Sequence, residues 1–316
     1  MKVLCDRERL REGLAVVTSV IPMKSTRPAV ENVCLVATDD ALVLVGTDLD
    51  VAVRFRIEDV KISETGTALI PARVASDFVR DLSGETVTLA SKGEHFEIIS
   101  GSDRCELTTI DPDEYPVVAH FPEPGESGSG ALSIQAGNFT RLVQRTAFAA
   151  AREQGRYAMH GILTMVEDDT LKLVATDGRR LAMISTPIDA SSGKNSGDRR
   201  AIVPTKGMQL FSRVLSDPLE QVKLHFGENQ FGLKTSKAEV FARLIDGEFP
   251  RYGDVVPAST SNTMEADSDL LQKKLRLVAN VTSNDTRAVR LAMEKGRIDI
   301  HGRSATMGEA SAQIEC

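Results

Sequence analysis

Asp39-Asp40-Ala41-Leu42-Val43-Leu44-Val45-Gly46-Thr47-Asp48 decides how this chain is read, because it returns as Asp168-Asp169-Thr170-Leu171-Lys172-Leu173-Val174-Ala175-Thr176-Asp177, at an offset of 129 residues. Each stretch is an acidic pair, a run of aliphatic residues and a Thr-Asp ending, which predicts a tight turn feeding a β-strand. Two further echoes keep the same order. Ala68-Leu69-Ile70-Pro71 followed by Phe78, Arg80 and Leu82 returns as Ala201-Ile202-Val203-Pro204 followed by Phe211, Arg213 and Leu215, at an offset of 133. Leu107 to Tyr115-Pro116 returns as Leu244 to Phe249-Pro250. Ordered echoes at nearly constant spacing mark a duplicated unit.

The spacing predicts a first copy over residues 1–122 and a second over 130–252. Ala266-Asp267-Ser268-Asp269-Leu270-Leu271 resembles the helix starts near Asp6 and Asn138, and Gly296 to Ser304 falls where Asp169 to Asp177 would, so a third copy is expected over 258–316. Its counterparts of Ala201–Leu215 and Leu244–Pro250 do not recur before Cys316. The third copy therefore reads as partial, and the chain as a truncated gene or fragment, expected to be mostly monomeric or prone to aggregate through an unfinished sheet edge. Turn-forming stretches, Pro122–Gly130 and Pro257–Asn262, separate the copies, and Ala190–Gly197 reads as a loop.

Within a full copy, an opening helix is expected from Leu10, Leu14, Val17 and Ile21 after Asp6, and from Phe139, Leu142, Val143 and Phe148 after Asn138. Short strands and a second helix follow each. The fold class is α+β: repeated units of two helices packed on antiparallel sheets.

Composition narrows the function classes. The chain has 316 residues, 41% hydrophobic and 26% charged, with a net charge of −7. That is ordinary for a globular protein and rules out a largely disordered or collagen-like chain. No apolar run approaches the roughly 20 residues needed to cross a bilayer, and the N-terminus Met1-Lys2-Val3-Leu4-Cys5-Asp6-Arg7 does not resemble a secretory signal. The four cysteines, Cys5, Cys34, Cys105 and Cys316, show no CxxC spacing, so a reduced, cytoplasmic protein is expected. The five histidines have no ligand spacing, and P-loop, GxSxG and post-strand GxGxxG motifs are missing. No metal, no cofactor and no catalytic residue is expected. Asp39-Asp40 and Asp168-Asp169 could form a metal or acid pair, but at hairpins they read as turn residues.

The charge is unevenly placed. Ala136–Arg152 holds Arg141, Arg145 and Arg152 and no acid; Thr205–Leu215 holds Lys206 and Arg213 and no acid; Asp269–Val278 holds Lys273, Lys274 and Arg276 against Asp269. Basic helices on an acidic body fit an element that faces phosphates, and charge alone fits a solvated helix face as well. In the first copy, Arg7, Arg9 and Arg11 mix with Asp6, Glu8 and Glu12, and Arg73 and Arg80 with Asp77 and Asp81.

Several stretches carry a family resemblance: Lys24-Ser25-Thr26-Arg27-Pro28 with Asn32; Gly46-Thr47-Asp48; Arg156-Tyr157 with Gly161; Ala175-Thr176-Asp177-Gly178-Arg179-Arg180-Leu181-Ala182; Asp246-Gly247-Glu248-Phe249-Pro250-Arg251-Tyr252; and Ser283-Asn284 with Val289-Arg290-Leu291. In this order they resemble the bacterial DNA polymerase III β subunit family, the processivity sliding clamps, from Met1 to the last residues. The resemblance implies head-to-tail dimers of three-domain chains, each chain an arc or half-ring, closing into a ring that encloses duplex DNA. Helices would line the hole, and the ring would tether the polymerase. It implies a non-catalytic accessory protein of the cytoplasm, associated with the nucleoid. Its partners would be double-stranded DNA without sequence preference, the polymerase catalytic subunit, the clamp loader and other proteins carrying a clamp-binding motif.

Carried over residue by residue, Lys24, Arg152, Arg156, Tyr157 and Lys206 match the family's DNA-contacting positions, and the basic helices add Arg141, Arg145, Arg213, Lys273, Lys274 and Arg276. Tyr157 reads equally as a packing aromatic. Met159, Thr176, Gly178, Arg179, Arg180, Leu181, Pro250 and Val255 match the pocket that takes partner peptides. Asp254 stands where the family commonly has arginine, which implies a different peptide preference, and the pocket is expected to be open on one side. Arg104, Cys105 and Leu107 match one side of the dimer interface, an edge strand, and Val281 and Thr282 match the other. The rival reading is a protein-interaction scaffold of the same fold that never encircles DNA.

Overall fold

The computed structural model describes residues 1–122, 131–152, 157–188, 199–282 and 288–316. The chain separates into two compact units, Met1–Pro250 and Arg251–Cys316. In the first unit, the first copy runs β1 (Lys2–Asp6), α1 (Arg7–Thr18), β2 (Asn32–Ala37), β3 (Leu42–Thr47), β4 (Val51–Ile57), β5 (Lys61–Glu64), β6 (Gly66–Pro71), α2 (Ala72–Asp81), β7 (Thr86–Lys92), β8 (His95–Ser100) and β9 (Asp103–Thr108). The second copy runs β10 (Leu132–Gln135), α3 (Ala136–Gln144), β11 (Gly161–Glu167), β12 (Thr170–Thr176), β13 (Leu181–Pro187), β14 (Arg199–Pro204), α4 (Thr205–Val214), β15 (Gln221–Phe226), β16 (Gln230–Lys234) and β17 (Ala238–Arg243). The second unit holds α5 (Ser268–Ala279), β18 (Val289–Glu294), β19 (Arg297–Ser304) and β20 (Gly308–Glu315). A helix followed by a three-stranded meander therefore recurs three times, as α1 with β2–β4, α3 with β11–β13, and α5 with β18–β20.

All named strand pairs are antiparallel. The first unit has sheets ordered β5-β1-β7-β8-β9, β13-β12-β11-β14 and β10-β15-β16-β17-β4-β3-β2-β6. The eight-stranded sheet belongs to both copies. Its seam is the ladder from Ala238↔Phe55 to Ala242↔Val51. Cross-strand partners share a face, so Phe55 and Val53 lie on the same side as Val240 and Ala242. Helix α1 packs on that side, with Gly13 against the Phe55 ring, and so does α4, with Gly207 against Ala242. The segment after β9 crosses the opposite side, where Tyr115 Oη donates to the Val45 carbonyl (3.2 Å) and the Phe121 ring lies 6.4 Å from that of Phe241.

Local chemistry explains the elements. Asp6 caps α1, accepting from the Arg9 N–H, and Leu10, Leu14 and Val17 form its buried stripe. Asp168 and Asp169 take φ of 45° and 57° and join Glu167 to its partner Thr170. Two consecutive left-handed residues match the right-handed twist of a hairpin, so this acidic pair is turn chemistry. Gly46 lies under α1, where a Cβ would sit 2.5 Å from Val17 Cγ1 and 3.0 Å from the Val17 carbonyl oxygen. A β-branched residue in its place would push α1 off the sheet. Burial pushes the Cys5 and Cys34 thiols up to about 12 and about 11, which keeps them protonated.

The structure corrects two helix expectations. Asn138 does not cap α3: the helix starts at Ala136, with Gln135 at the cap position. Asn138 Oδ1 instead accepts from Arg141 Nη2 at 3.1 Å. Phe148 does not continue the apolar stripe. The helix ends at Gln144, Thr146 Oγ1 donates to the Leu142 carbonyl (2.8 Å), and Phe148 falls in a single 3₁₀ turn with 54% of its surface exposed.

Candidate functional site

The helix cations divide by copy. In the first copy most have acids beside them: Arg7 with Glu8, Arg11 with Glu8 at 2.8 Å, Arg9 with Asp59 at 2.8 Å, and Arg80 with Asp77 and Asp81 at 2.7 and 3.0 Å. In the second copy Arg141, Arg145, Arg152 and Arg213 are exposed and make no ion pair among the described residues. Arg141 and Arg213 occupy the last turns of α3 and α4, where the carbonyl end of the helix favours a cation. Helices α3 and α4 touch through Phe139 and Phe211, whose ring centroids are 6.4 Å apart. Between them lies a cleft of about 610 Å³ that brings Arg152 and Arg213 together with Phe148, Gln144 and Gln209.

Lys206 differs from these cations. It is exposed on α4, yet its ammonium meets the Asp48 carboxylate of the first copy. Lys24 is exposed and unpaired among the described residues, between α1 and β2. Arg156 lies outside the described residues, as does the side chain of Tyr157. Lys273 and Arg276 are exposed on α5, Lys274 is half-buried, and none of the three makes an ion pair among the described residues.

Thr176, Gly178, Arg179, Arg180 and Leu181 share the turn joining β12 to β13. Thr176 Oγ1 donates to the Arg180 carbonyl (2.7 Å) and accepts from the Gly178 N–H (3.1 Å). Asp177 Oδ1 accepts from the N–H groups of Arg179 and Arg180, both at 3.0 Å. Gly178 takes φ of 84°, which glycine adopts without strain. With its own oxygens holding the turn, the Arg179 guanidinium projects without an ion partner among the described residues. The Arg180 guanidinium pairs with Asp177 (3.2 Å) and lies 5.6 Å from the centre of the Phe148 ring, a cation–π distance. Phe148 is thus part of this site. The sequence hides it, because an apolar residue four places after Gln144 looks like one more helix-stripe position. Met159 is half-buried just before β11, Pro250 ends the first unit, and Val255 is 69% exposed in the second unit.

The two backbone bonds to Asp177, first from Arg179 and then from Arg180, hold its carboxyl below the ordinary 3.8. A depressed carboxyl pKa stabilises the turn fully above the ordinary value, and that stabilisation is lost as pH falls through the lower folded value. Hydrogen exchange at the Arg179 and Arg180 amides, corrected for intrinsic rates, should therefore accelerate only below about pH 4. In Asp177→Asn the same step should vanish.

Arg104, Cys105 and Leu107 lie on β9, an edge of the five-stranded sheet. Arg104 pairs with Glu97 and Glu106 of the same sheet. Val281 and Thr282 are not on a strand. They close α5: the Val281 N–H donates to the Val278 carbonyl (3.3 Å), and Thr282 Oγ1 donates to the Ala279 carbonyl (2.7 Å). The edges of the sheet in the second unit are β18 and β20. Among the described residues no group of three or more His, Cys, Asp or Glu could hold a metal ion, and no helix is long and apolar enough to cross a membrane.

Residues 1–119 match the DNA polymerase III beta subunit, N-terminal domain family, and residues 133–251 match the central domain family of the same subunit. The beta sliding clamp of Pseudomonas putida is 30% identical over 318 residues, covering 99% of this chain and 84% of that protein. That of Escherichia coli is 30% identical over 316 residues, covering 100% and 84%. A crystal structure of the DNA polymerase sliding clamp from Pseudomonas aeruginosa superposes with a TM-score of 0.90 at 28% identity, covering 100% of this chain and 84% of that one. Repeated units, shared turns and whole-chain similarity converge on one conclusion: this chain belongs to the DNA polymerase III beta subunit family, the beta sliding clamps.

Proposed function

We propose that the chain acts as a DNA sliding clamp that holds a polymerase on duplex DNA, and that it does no chemistry of its own. The carrying observation is the split in ion pairing. The second-copy arginines Arg141, Arg145, Arg152 and Arg213 have no acid partner among the described residues, while most helix cations of the first copy are neutralised. Unpaired arginines on helices α3 and α4 can neutralise phosphates and release counterions, an interaction without sequence information. By resemblance to the family, Lys24, Arg156 and Tyr157, and in the second unit Lys273, Lys274 and Arg276 on α5, are proposed as further DNA contacts. Lys206 joins them when DNA phosphate displaces Asp48. Such contacts position DNA weakly, so retention comes from closing a ring and not from affinity. Resemblance to the family implies closure by two chains head to tail, through positions matching Arg104, Cys105 and Leu107 on one side and Val281 and Thr282 on the other.

The Thr176–Leu181 turn is the proposed docking point for partner peptides of the polymerase and the clamp loader. Leu181, Met159 and Pro250 supply apolar surface, and the arginines hold peptide carbonyls or carboxylates. The deciding experiment loads the chain onto nicked circular duplex with a clamp loader and ATP, then cuts the circle. Co-elution with DNA in high salt before cutting, and release after it, is the expected result. Equal retention on linear DNA, or none on the circle, would overturn the reading.

A further inference from the structure

The turn proposed to dock peptides has a twin in the first copy. Thr47 Oγ1 donates to the Val51 carbonyl (2.8 Å) and accepts from the Leu49 N–H (2.9 Å). Asp48 Oδ1 accepts from the N–H groups of Asp50 (3.1 Å) and Val51 (2.8 Å). These four bonds repeat, atom for atom, those of Thr176 and Asp177. Leu49 takes φ of 80°, where Gly178 takes 84°. A leucine in the left-handed region is uncommon, and this one is 47% exposed.

Beside this twin turn lies a second cleft, of about 490 Å³. Its walls are the turn itself, the Pro116–Ala119 segment, and Asn229, Gln230, Phe241 and Arg243 of the second copy. Pro116 is the repeat counterpart of Pro250. Leu49 and the fully exposed Val117 give it an apolar mouth. One feature is inverted. Asp50 occupies the place of Arg179, and its carboxylate makes no ion pair among the described residues. Its cross-strand neighbour Arg243, whose N–H donates to the Asp50 carbonyl (2.8 Å), is exposed and also unpaired among them.

We infer that the junction of the first and second copies carries a second peptide-docking cleft, which takes a short extended segment of a partner protein with an apolar anchor beside a basic residue. The apolar anchor enters between Leu49 and the Pro116–Val117 segment. The basic side chain meets Asp50, and Arg243 holds a peptide carbonyl. The inference rests on the reading of the Thr176 turn as a docking element. It differs from that site in charge preference, because an acid replaces the arginine at the same turn position.

The test uses the full chain and two fluorescein-labelled acetylated peptides, Ala-Leu-Arg-Ala-Leu and Ala-Leu-Glu-Ala-Leu, read by fluorescence anisotropy. The arginine peptide should bind saturably. Its Kd should rise at least tenfold in Asp50→Lys, which corresponds to about 1.4 kcal/mol, and should rise in Leu49→Gly, which relieves the left-handed leucine and so keeps the turn. Arg180→Ala should leave it unchanged. No saturable binding to the unaltered chain, no response to Asp50→Lys and Leu49→Gly, or loss of binding in Arg180→Ala would overturn the inference. The glutamate peptide separates the two readings: its failure to respond to Arg180→Ala counts against the Thr176 turn, whatever the arginine peptide does.

Discussion

Changing Arg141, Arg145, Arg152 and Arg213 together to glutamate is expected to abolish loading onto DNA and processive synthesis, while the fold survives. All four are exposed and none holds an acid among the described residues, so their reversal breaks no ion pair among those residues. Each neutralised phosphate contributes about 0.9 to the slope of log affinity against log salt. Losing four should flatten that slope by roughly 3 to 4. Reversing Arg9, Arg11 and Arg80 provides the contrast. These already spend their charge on Asp59, Glu8, Asp77 and Asp81. Their exposed pairs are worth about 0–1 kcal/mol each, so the expected change in the salt slope is small. Circular dichroism and the salt dependence of equilibrium affinity for short linear duplex DNA measure both sets. An unchanged slope in the fourfold variant would remove the basis for a DNA-facing role of α3 and α4.

Phe211→Ala is expected to produce the largest loss of stability. Its ring is fully buried, 6.4 Å from Phe139 and 5.5 Å from Phe231, which in turn meets Phe226 at 4.9 Å. Truncating a buried phenylalanine costs about 3–5 kcal/mol, from lost transfer energy and the cavity left behind. In a domain of this size that lowers Tm by roughly 6–20 °C. The ring also joins α4 to α3, so the spacing of their arginines should loosen with it. Phe148→Ala removes a ring of the same size that is 54% exposed, and its Tm should stay near that of the unaltered chain. Differential scanning calorimetry of the two variants separates burial from ring size. Equal shifts would mean that the phenylalanine chain is not the core of the second copy.

The loading experiment and the acid-dependent exchange at Asp177 probe the same molecule at its two other levels, ring closure and the single turn. They fail independently. A turn held by Asp177 can exist in a protein that never closes on DNA, and closure does not require the turn to loosen in acid.

Much of this architecture is written locally. The stripe Leu10, Leu14, Val17 and the cap Asp6 need only residues within a few positions of one another. The Asp168-Asp169 hairpin and the Thr176-Asp177 turn close on bonds spanning two to four residues. For that reason the repeat, the α+β class and the family were legible from Met1 onward. The α3 helix is misread where local pattern and packing diverge. Phe148 continues an apolar rhythm that Thr146 has already ended.

What the one-dimensional text could not hold is which charges find each other and where one copy meets the next. Lys206 meets Asp48 across 158 residues, and Lys237 meets Glu12 across 225. The fusion of both copies into one sheet rests on the register of β17 against β4. Composition and period identify the elements because helices and turns are satisfied within their own segments. Ion pairing and strand neighbours depend on distances set by the folded chain as a whole, and those distances choose which cations are left without an acid among the described residues.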